Sequence, residues 1–384
     1  MCCLLCSASL RGFRVTFSPV PLTSSDPKQP LRFRCLGYES IHPGRKATAT
    51  VYAVQFDRFG PPEVLTTAGS LPAPRPGPDE VRIRVRAAGV APVDLSLRAG
   101  LSPSSERISL PHIPGVDAAG VIDELGANVT GFEIGDAVFG AVSIARLGGA
   151  SAQFAVLAFW AHKPPSMPWA QAGAAGTSIE TATRALDALD LRVGSTLLID
   201  GAAGGVGSVA VQLAIARGAR VVGTGRRESQ AFIAALGATP VPFGPGLPER
   251  VRALGIERID LALDVAGADA LPELIALTGT AAAVLTIADF TGPKQGVRLS
   301  IGELGGQPDG RHGLAQATAL FEEGRFRIPV QHEFPMAQAA EAHAAAARGP
   351  RQGKIALIDH GEHIDHGERN WPRRLRPRHP SLPG

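Results

Sequence analysis

The chain has 384 residues, 45% hydrophobic and 19% charged, with a formal net charge of +3, enough for a sizeable core in one large domain or two ordinary ones. So small a charge gives no reason to expect nucleic acid as a partner of the body, and no apolar run reaches the roughly 18 residues that cross a bilayer. The four cysteines are Cys2, Cys3, Cys6 and Cys35, so the body offers no disulfide, thiol nucleophile or cysteine metal ligand, the pattern of a reducing cytoplasm.

Residues 1–49 are rich in Ser, Pro, Arg and Cys without a sustained period. They read as a disordered extension or as the product of a start codon assigned too far upstream; a transit peptide fits less well, since no amphipathic helix is evident. Patterning begins at 51–56 (VYAVQF), and 80–87 (EVRIRVRA) alternates polar and apolar residues as a half-buried strand does. Residues 115–125 and 136–140 read as further strand and turn pieces. From about residue 170 strands and helices alternate. Strands are expected at 196–199, 220–224, 259–265 and 281–288, with helices at 208–217 and 228–236 closed by Gly218 and Gly237. Such alternation predicts an α/β fold with a doubly wound parallel sheet, whose ligands bind at the carboxyl ends of the strands. At the far end, 361–384 reads as a disordered basic tail of arginines and prolines. His360, His363 and His366 recur there every three residues, where nothing would hold a catalytic site rigid.

The most informative stretch is DGAAGGVG, residues 200–207, between the expected strand 196–199 and the expected helix 208–217. A strand feeding a glycine-rich turn into a helix sets free backbone N–H groups and the positive end of the helix where a diphosphate can sit. Gly204, Gly205 and Gly207 carry no Cβ to hold a ligand off. About 20 positions beyond such a turn, a fold that uses NAD normally has an acidic residue for the ribose 2′-hydroxyl. Here the next strand ends in Thr224, Gly225, Arg226 and Arg227. A guanidinium holds a 2′-phosphate through paired charge-assisted hydrogen bonds, whereas a carboxylate repels it. The expected cofactor is therefore NADPH.

With those residues in view, 51–359 resembles a medium-chain dehydrogenase/reductase of the quinone oxidoreductase-like type. The stretches that carry the resemblance are 89–100 (GVAPVDLSLRAG), 111–126 (PHIPGVDAAGVIDELG), 132–140 (FEIGDAVFG) and 148–157 (GGASAQFAVL). They continue through 200–214 (DGAAGGVGSVAVQLA), 260–267 (DLALDVAG) and 348–358 (RGPRQGKIALI). The resemblance implies a GroES-like β-rich catalytic domain over 51–170, a Rossmann NADP-binding domain over 171–299, and a segment 300–360 returning to the catalytic domain. It also implies homodimerisation. On the cofactor side it implies that Ala203, Gly204, Gly205 and Val206 form the diphosphate turn. Gly225 and Arg226 would meet the 2′-phosphate, Lys354 would reach the cofactor, and Ile287, Asp289 and Phe290 would border the nicotinamide ribose. Thr181 matches a family threonine close to the nicotinamide.

Departures from the family narrow the chemistry. Zinc-using members carry Cys and His where this chain has Ala91, Pro92 and Val116, and the lobe with four closely spaced cysteines is missing, so no metal is expected. Many quinone oxidoreductases have Asn at the position of Ala91 and Tyr at that of Ser96; neither is present. Without a metal or tyrosine to polarise an unactivated ketone, the expected acceptor is a quinone or an α,β-unsaturated carbonyl, where hydride addition leaves delocalised charge. Ser96 and Thr181 are the candidate catalytic hydroxyls, and Asp94 a positioning carboxylate. Two other readings stay open: reduction of an enoyl thioester or polyketide intermediate, and a non-catalytic NADPH-binding protein that acts as a sensor or binds RNA.

Overall fold

A computed structural model of the chain describes residues 8–10, 13–15, 50–143, 145–348 and 352–359. The chain separates into two units, Met1–Ala49 and Thr50–Gly384. In the first, β1 (Ala8–Leu10) and β2 (Phe13–Val15) pair antiparallel. The rest of the expected N-terminal extension, the basic tail 361–384 and the three recurring histidines lie outside the described residues.

The second unit opens with β3 (Thr50–Gln55), paired antiparallel with β4 (Thr66–Pro72). In β5 (Val81–Val90) the alternation seen in the sequence is realised: Val81, Ile83 and Val85 are fully buried between more exposed arginines. Helix α1 (Pro92–Ala99) follows, then β6 (Asp117–Leu125), β7 (Ala137–Val142) and β8 (Phe154–His162). These strands pair in sequence, and β8 returns to pair with β5, closing that part of the sheet on itself.

Beyond α2 (Trp169–Gly173) and α3 (Gly176–Ala188) the chain alternates. β9 (Thr196–Asp200), α4 (Gly205–Ala216), β10 (Arg220–Gly225), α5 (Gln230–Ala235), β11 (Thr239–Pro242), α6 (Leu247–Arg252), β12 (Leu261–Asp264), α7 (Leu271–Thr278), β13 (Val284–Thr286) and β14 (Arg298–Leu299) follow in order. All neighbours are parallel, in the spatial order β11-β10-β9-β12-β13-β14. The strand order therefore reverses between β9 and β12, which is where doubly wound sheets open a ligand crevice. Both faces of β9 are covered: Leu197 and Ile199 join one core cluster and Leu198 another.

Three boundaries differ from the sequence reading. Helix α4 begins at Gly205 rather than 208, because Gly204 is extended (φ −74°, ψ 179°) and the helix starts directly on the glycine turn. The expected strand 281–288 shrinks to β13, since 281–283 form a 3₁₀ turn capped by the Thr280 hydroxyl. The chain also rejoins the antiparallel sheet only at β15 (Val330–Pro335), not at residue 300. Before that, α8 (Gly313–Glu322) places Leu314 and Ala317 in the same core cluster as Leu197. Helix α9 (Ala339–Ala347) then leads to β16 (Lys354–Ile358), which inserts between β15 and β5. Among the described residues no helix is long and apolar enough to cross a membrane.

Candidate active site

The turn after β9 lines a cavity of about 370 Å³ that reaches from the parallel sheet to the antiparallel one. Gly201 adopts φ +86°, and Gly204 caps α4 without a side chain, so among the described residues the first N–H groups of this twelve-residue helix have no side-chain acceptor. Gly201, Gly204, Gly205, Val206 and Gly207 all border the cavity. The glycines differ in purpose. A Cβ on Gly207 would stand 2.2 Å from the Gly201 carbonyl oxygen, so this glycine lets the helix sit on its own turn. A Cβ on Gly205 would stand 2.6 Å from Cδ of Lys354, so that glycine makes room for a side chain from β16. Ala203 faces the protein; its carbonyl accepts the Gly353 N–H at 2.8 Å.

Lys354 is 5% exposed, and its Nζ donates to Asp117 Oδ2 at 3.0 Å. Asp117, fully buried at the start of β6, also accepts the Thr177 N–H at 2.6 Å and the Thr177 hydroxyl at 2.8 Å. This ion pair links the antiparallel sheet, α3 and the glycine turn at the cavity wall, and nothing in its environment resembles a solvated strand charge. Asp117 and Thr177 are missed by the sequence reading. The available signal was an acid inside the apolar run GVDAAG and a lysine opening the apolar run KIALI, two charges that each needed a buried partner.

Two candidates turn away from the cavity. The Ser96 hydroxyl donates to the Val93 carbonyl within α1 at 3.0 Å and does not line the cavity, because its own helix offers the nearer acceptor. Asp94 is buried, accepting the Ala91 N–H at 2.8 Å and the Gly115 N–H at 3.1 Å, so it ties the start of α1 to the turn before β6. Burial pushes its carboxyl up to about 7, against the opposing effect of those backbone donors.

Thr181 does line the cavity. Its hydroxyl donates to Glu180 Oε2 at 3.0 Å and accepts from Arg184 Nη2 at 3.4 Å. Thr224 is fully buried: its hydroxyl donates to Asp200 and accepts the Gly201 N–H at 3.1 Å, so it braces the turn from beneath. Gly225 closes β10 against Ile233. Arg226 and Arg227 are exposed just beyond that strand end, and among the described residues neither guanidinium has an ion-pair or hydrogen-bond partner. Ile287, Asp289 and Phe290 do not border the cavity. Asp289 accepts the Thr291 N–H and hydroxyl, Phe290 is 62% exposed, and Val265, Ile301 and Gly302 form the wall in their place.

Two family models match: the alcohol dehydrogenase GroES-like domain over residues 77–166 and the zinc-binding dehydrogenase domain over residues 236–357. A quinone oxidoreductase of Pseudomonas aeruginosa is 30% identical over 329 residues, covering 79% of this chain and 98% of its own length. The chain belongs to the medium-chain dehydrogenase/reductase superfamily, in its quinone oxidoreductase-like branch. The human quinone oxidoreductase is 38% identical over 193 residues, so this chain spans 57% of the length of that relative. Escherichia coli quinone oxidoreductase, solved in complex with NADPH, superposes with a TM-score of 0.68 at 26% identity, over 80% of this chain and 99% of that one.

Membership in this superfamily raises two cofactor questions that the residues themselves address. A tetrahedral zinc needs three or four His, Cys or carboxylate donors converging on one point. Among the described residues no such group of three or more gathers, and Ala91, Pro92 and Val116, which line the cavity, carry no side-chain donor. The donor set does not fit zinc. It does fit a dinucleotide: a glycine turn with open helix N–H groups, a cavity beside it, and cations at the neighbouring strand end.

Proposed function

We propose that this protein is an NADPH-dependent, zinc-independent reductase that delivers hydride to a quinone or an α,β-unsaturated carbonyl. The observation that carries this reading is that one cavity is lined by the α4 N-terminus, by Lys354, which Asp117 holds, and by Thr181. The likeness to quinone oxidoreductases of similar length supports it.

A bound nicotinamide dinucleotide supplies the hydride. The chain does the rest. Open N–H groups from Gly205 to Gly207 hold the diphosphate, and Arg226 and Arg227, both exposed at the end of β10, hold the 2′-phosphate. Lys354, kept in place by Asp117, fixes the position of the turn relative to the antiparallel sheet. Val90, Val93, Leu95 and Val265 give the cavity apolar walls that exclude water and strengthen the polar contacts inside. The Thr181 hydroxyl swings its hydrogen from Glu180 to the acceptor oxygen as negative charge gathers there. An acceptor that delocalises that charge needs no metal.

The test is steady-state oxidation of NADPH and NADH by the purified full chain, with a small benzoquinone and a small enone. NADPH should be the preferred donor. Each charge-assisted bond to phosphate contributes about 1.5–3 kcal/mol, so R226A should cost at least about tenfold in kcat/KM for NADPH and little for NADH. Equal use of both donors, or an R226A variant that keeps its preference, sinks the 2′-phosphate assignment. Turnover of neither acceptor sinks the reductase assignment.

A further inference from the structure

Helix α3 contributes to the cavity wall an ion pair for which the proposed chemistry has so far found no use. Glu180 and Arg184 sit one helical turn apart on α3, with side chains 14% and 9% exposed. Arg184 Nε donates to Glu180 Oε1 at 2.8 Å, and Nη2 lies 3.4 Å from Oε2. A surface pair at this spacing is worth only a few tenths of a kcal/mol in a helix, which does not account for so elaborate an arrangement.

What the pair touches explains it. Arg184 Nη1 donates to the Ser300 hydroxyl at 2.5 Å, and Glu180 Oε1 accepts the Gly310 N–H at 3.2 Å. Ser300 and Gly310 begin and end a loop whose Ile301, Gly302 and Asp309 line the cavity. The loop is built to lie against the pair. A Cβ on Gly302, at φ +63°, would stand 2.9 Å from Arg184 Nε, and a Cβ on Gly310 would stand 2.1 Å from the Glu180 carbonyl oxygen. Within the loop, the Gln307 side chain accepts the Ile301 and Gly302 N–H groups and donates to the Leu299 carbonyl, which ties the loop's two ends of chain together. The remaining bonds of the pair go to Thr181, which donates to Glu180 and accepts from Arg184.

We infer that Glu180 and Arg184 are positioning residues that pin both ends of the 300–310 loop over the acceptor side of the cavity and aim the Thr181 hydroxyl into it. The inference rests on the reductase reading for the identity of the acceptor, but the clamp itself is a property of the bonds. Only a planar guanidinium with five donors can serve Glu180, Ser300 and Thr181 together; a lysine ammonium keeps the charge and loses the fork. Acceptor binding and the direction of the hydroxyl are therefore coupled through one side chain.

The experiment compares wild type with R184K, E180Q and the milder S300A, which removes a single bond of the clamp. Amide hydrogen exchange over 301–310 should quicken at least about tenfold in R184K and E180Q and less in S300A. Acceptor KM should rise several-fold and kcat should fall in R184K, while the NADPH dissociation constant stays within about twofold, reporting an intact fold. In a T181V background R184K should cost less in kcat than in wild type, because the two changes act through the same hydroxyl. Unchanged exchange in the loop overturns the clamp. Faster exchange with unchanged acceptor KM and kcat overturns its positioning role. If wild type turns over no acceptor, the proposed function falls, and the exchange measurement still decides the clamp.

Discussion

At the scale of single residues, the site depends on charges placed where water cannot reach them. Asp200 is the clearest case. It ends β9 beneath the glycine turn, and its Oδ1 accepts the Thr224 hydroxyl while Oδ2 has no partner among the described residues. Burial, with smaller contributions from Asp264 and Glu273, pushes its carboxyl up from 3.8 to about 6 against the opposing Thr224 bond. The folded chain therefore keeps a proton that the unfolded chain releases. Stability contributed by this group is fully present below its unfolded value and is lost as pH rises through about 6. D200N, which cannot ionise and keeps an acceptor for Thr224, should gain thermal stability relative to wild type between about pH 4 and pH 7 and hold that gain above. Melting curves of both proteins across that range check it; a pH-independent difference rules out the buried proton. In the sequence Asp200 read only as the residue opening the glycine turn, because nothing local shows that the Thr224 hydroxyl, 24 positions on at the end of the neighbouring strand, bonds to it.

At the scale of elements, the parallel sheet was legible because each strand is a short apolar run ending in glycine or a turn, and both faces need covering. The glycine turn was legible for the same reason: only glycine tolerates its backbone approaches. Where the reading failed, a polar side chain had taken over the backbone locally. The Thr286 hydroxyl accepts the N–H groups of Ala288 and Asp289, ending β13 early and turning Asp289 and Phe290 away from the cavity. For Ser96 the position on α1 was foreseeable but the bond to Val93 was not. The joint between α3 and the antiparallel sheet went unread altogether. Gly176, the first residue of α3, sits so close to β7 that a Cβ would meet the Gly140 carbonyl oxygen at 2.3 Å. G176A should cost about 1–3 kcal/mol by overpacking, whereas G204A, whose nearest neighbour would be at 3.5 Å, should change stability by less. Urea titrations of the two variants should differ in midpoint in that order; equal midpoints would mean the joint yields freely.

At the scale of the whole molecule, a ligand that binds between two sheets stabilises both. A dinucleotide at a hundred times its dissociation constant adds about 2.7 kcal/mol to the unfolding free energy. NADPH should therefore raise the melting temperature of the full chain more than NADH at equal concentration, and R226A should narrow the gap. A larger shift with NADH would reverse the cofactor assignment without any acceptor being needed. The architecture also sets an order of assembly. β16 lies between β15 and β5, and Lys354 at its head covers Gly205 and neutralises Asp117. During synthesis, which delivers about 5–20 residues per second, the parallel sheet can emerge and pair while β15 still has no neighbour and Asp117 no cation. The glycine turn is thus finished by β16, which emerges after every other described strand, and a nascent chain completes the cavity beside that turn only when its two sheets are already joined.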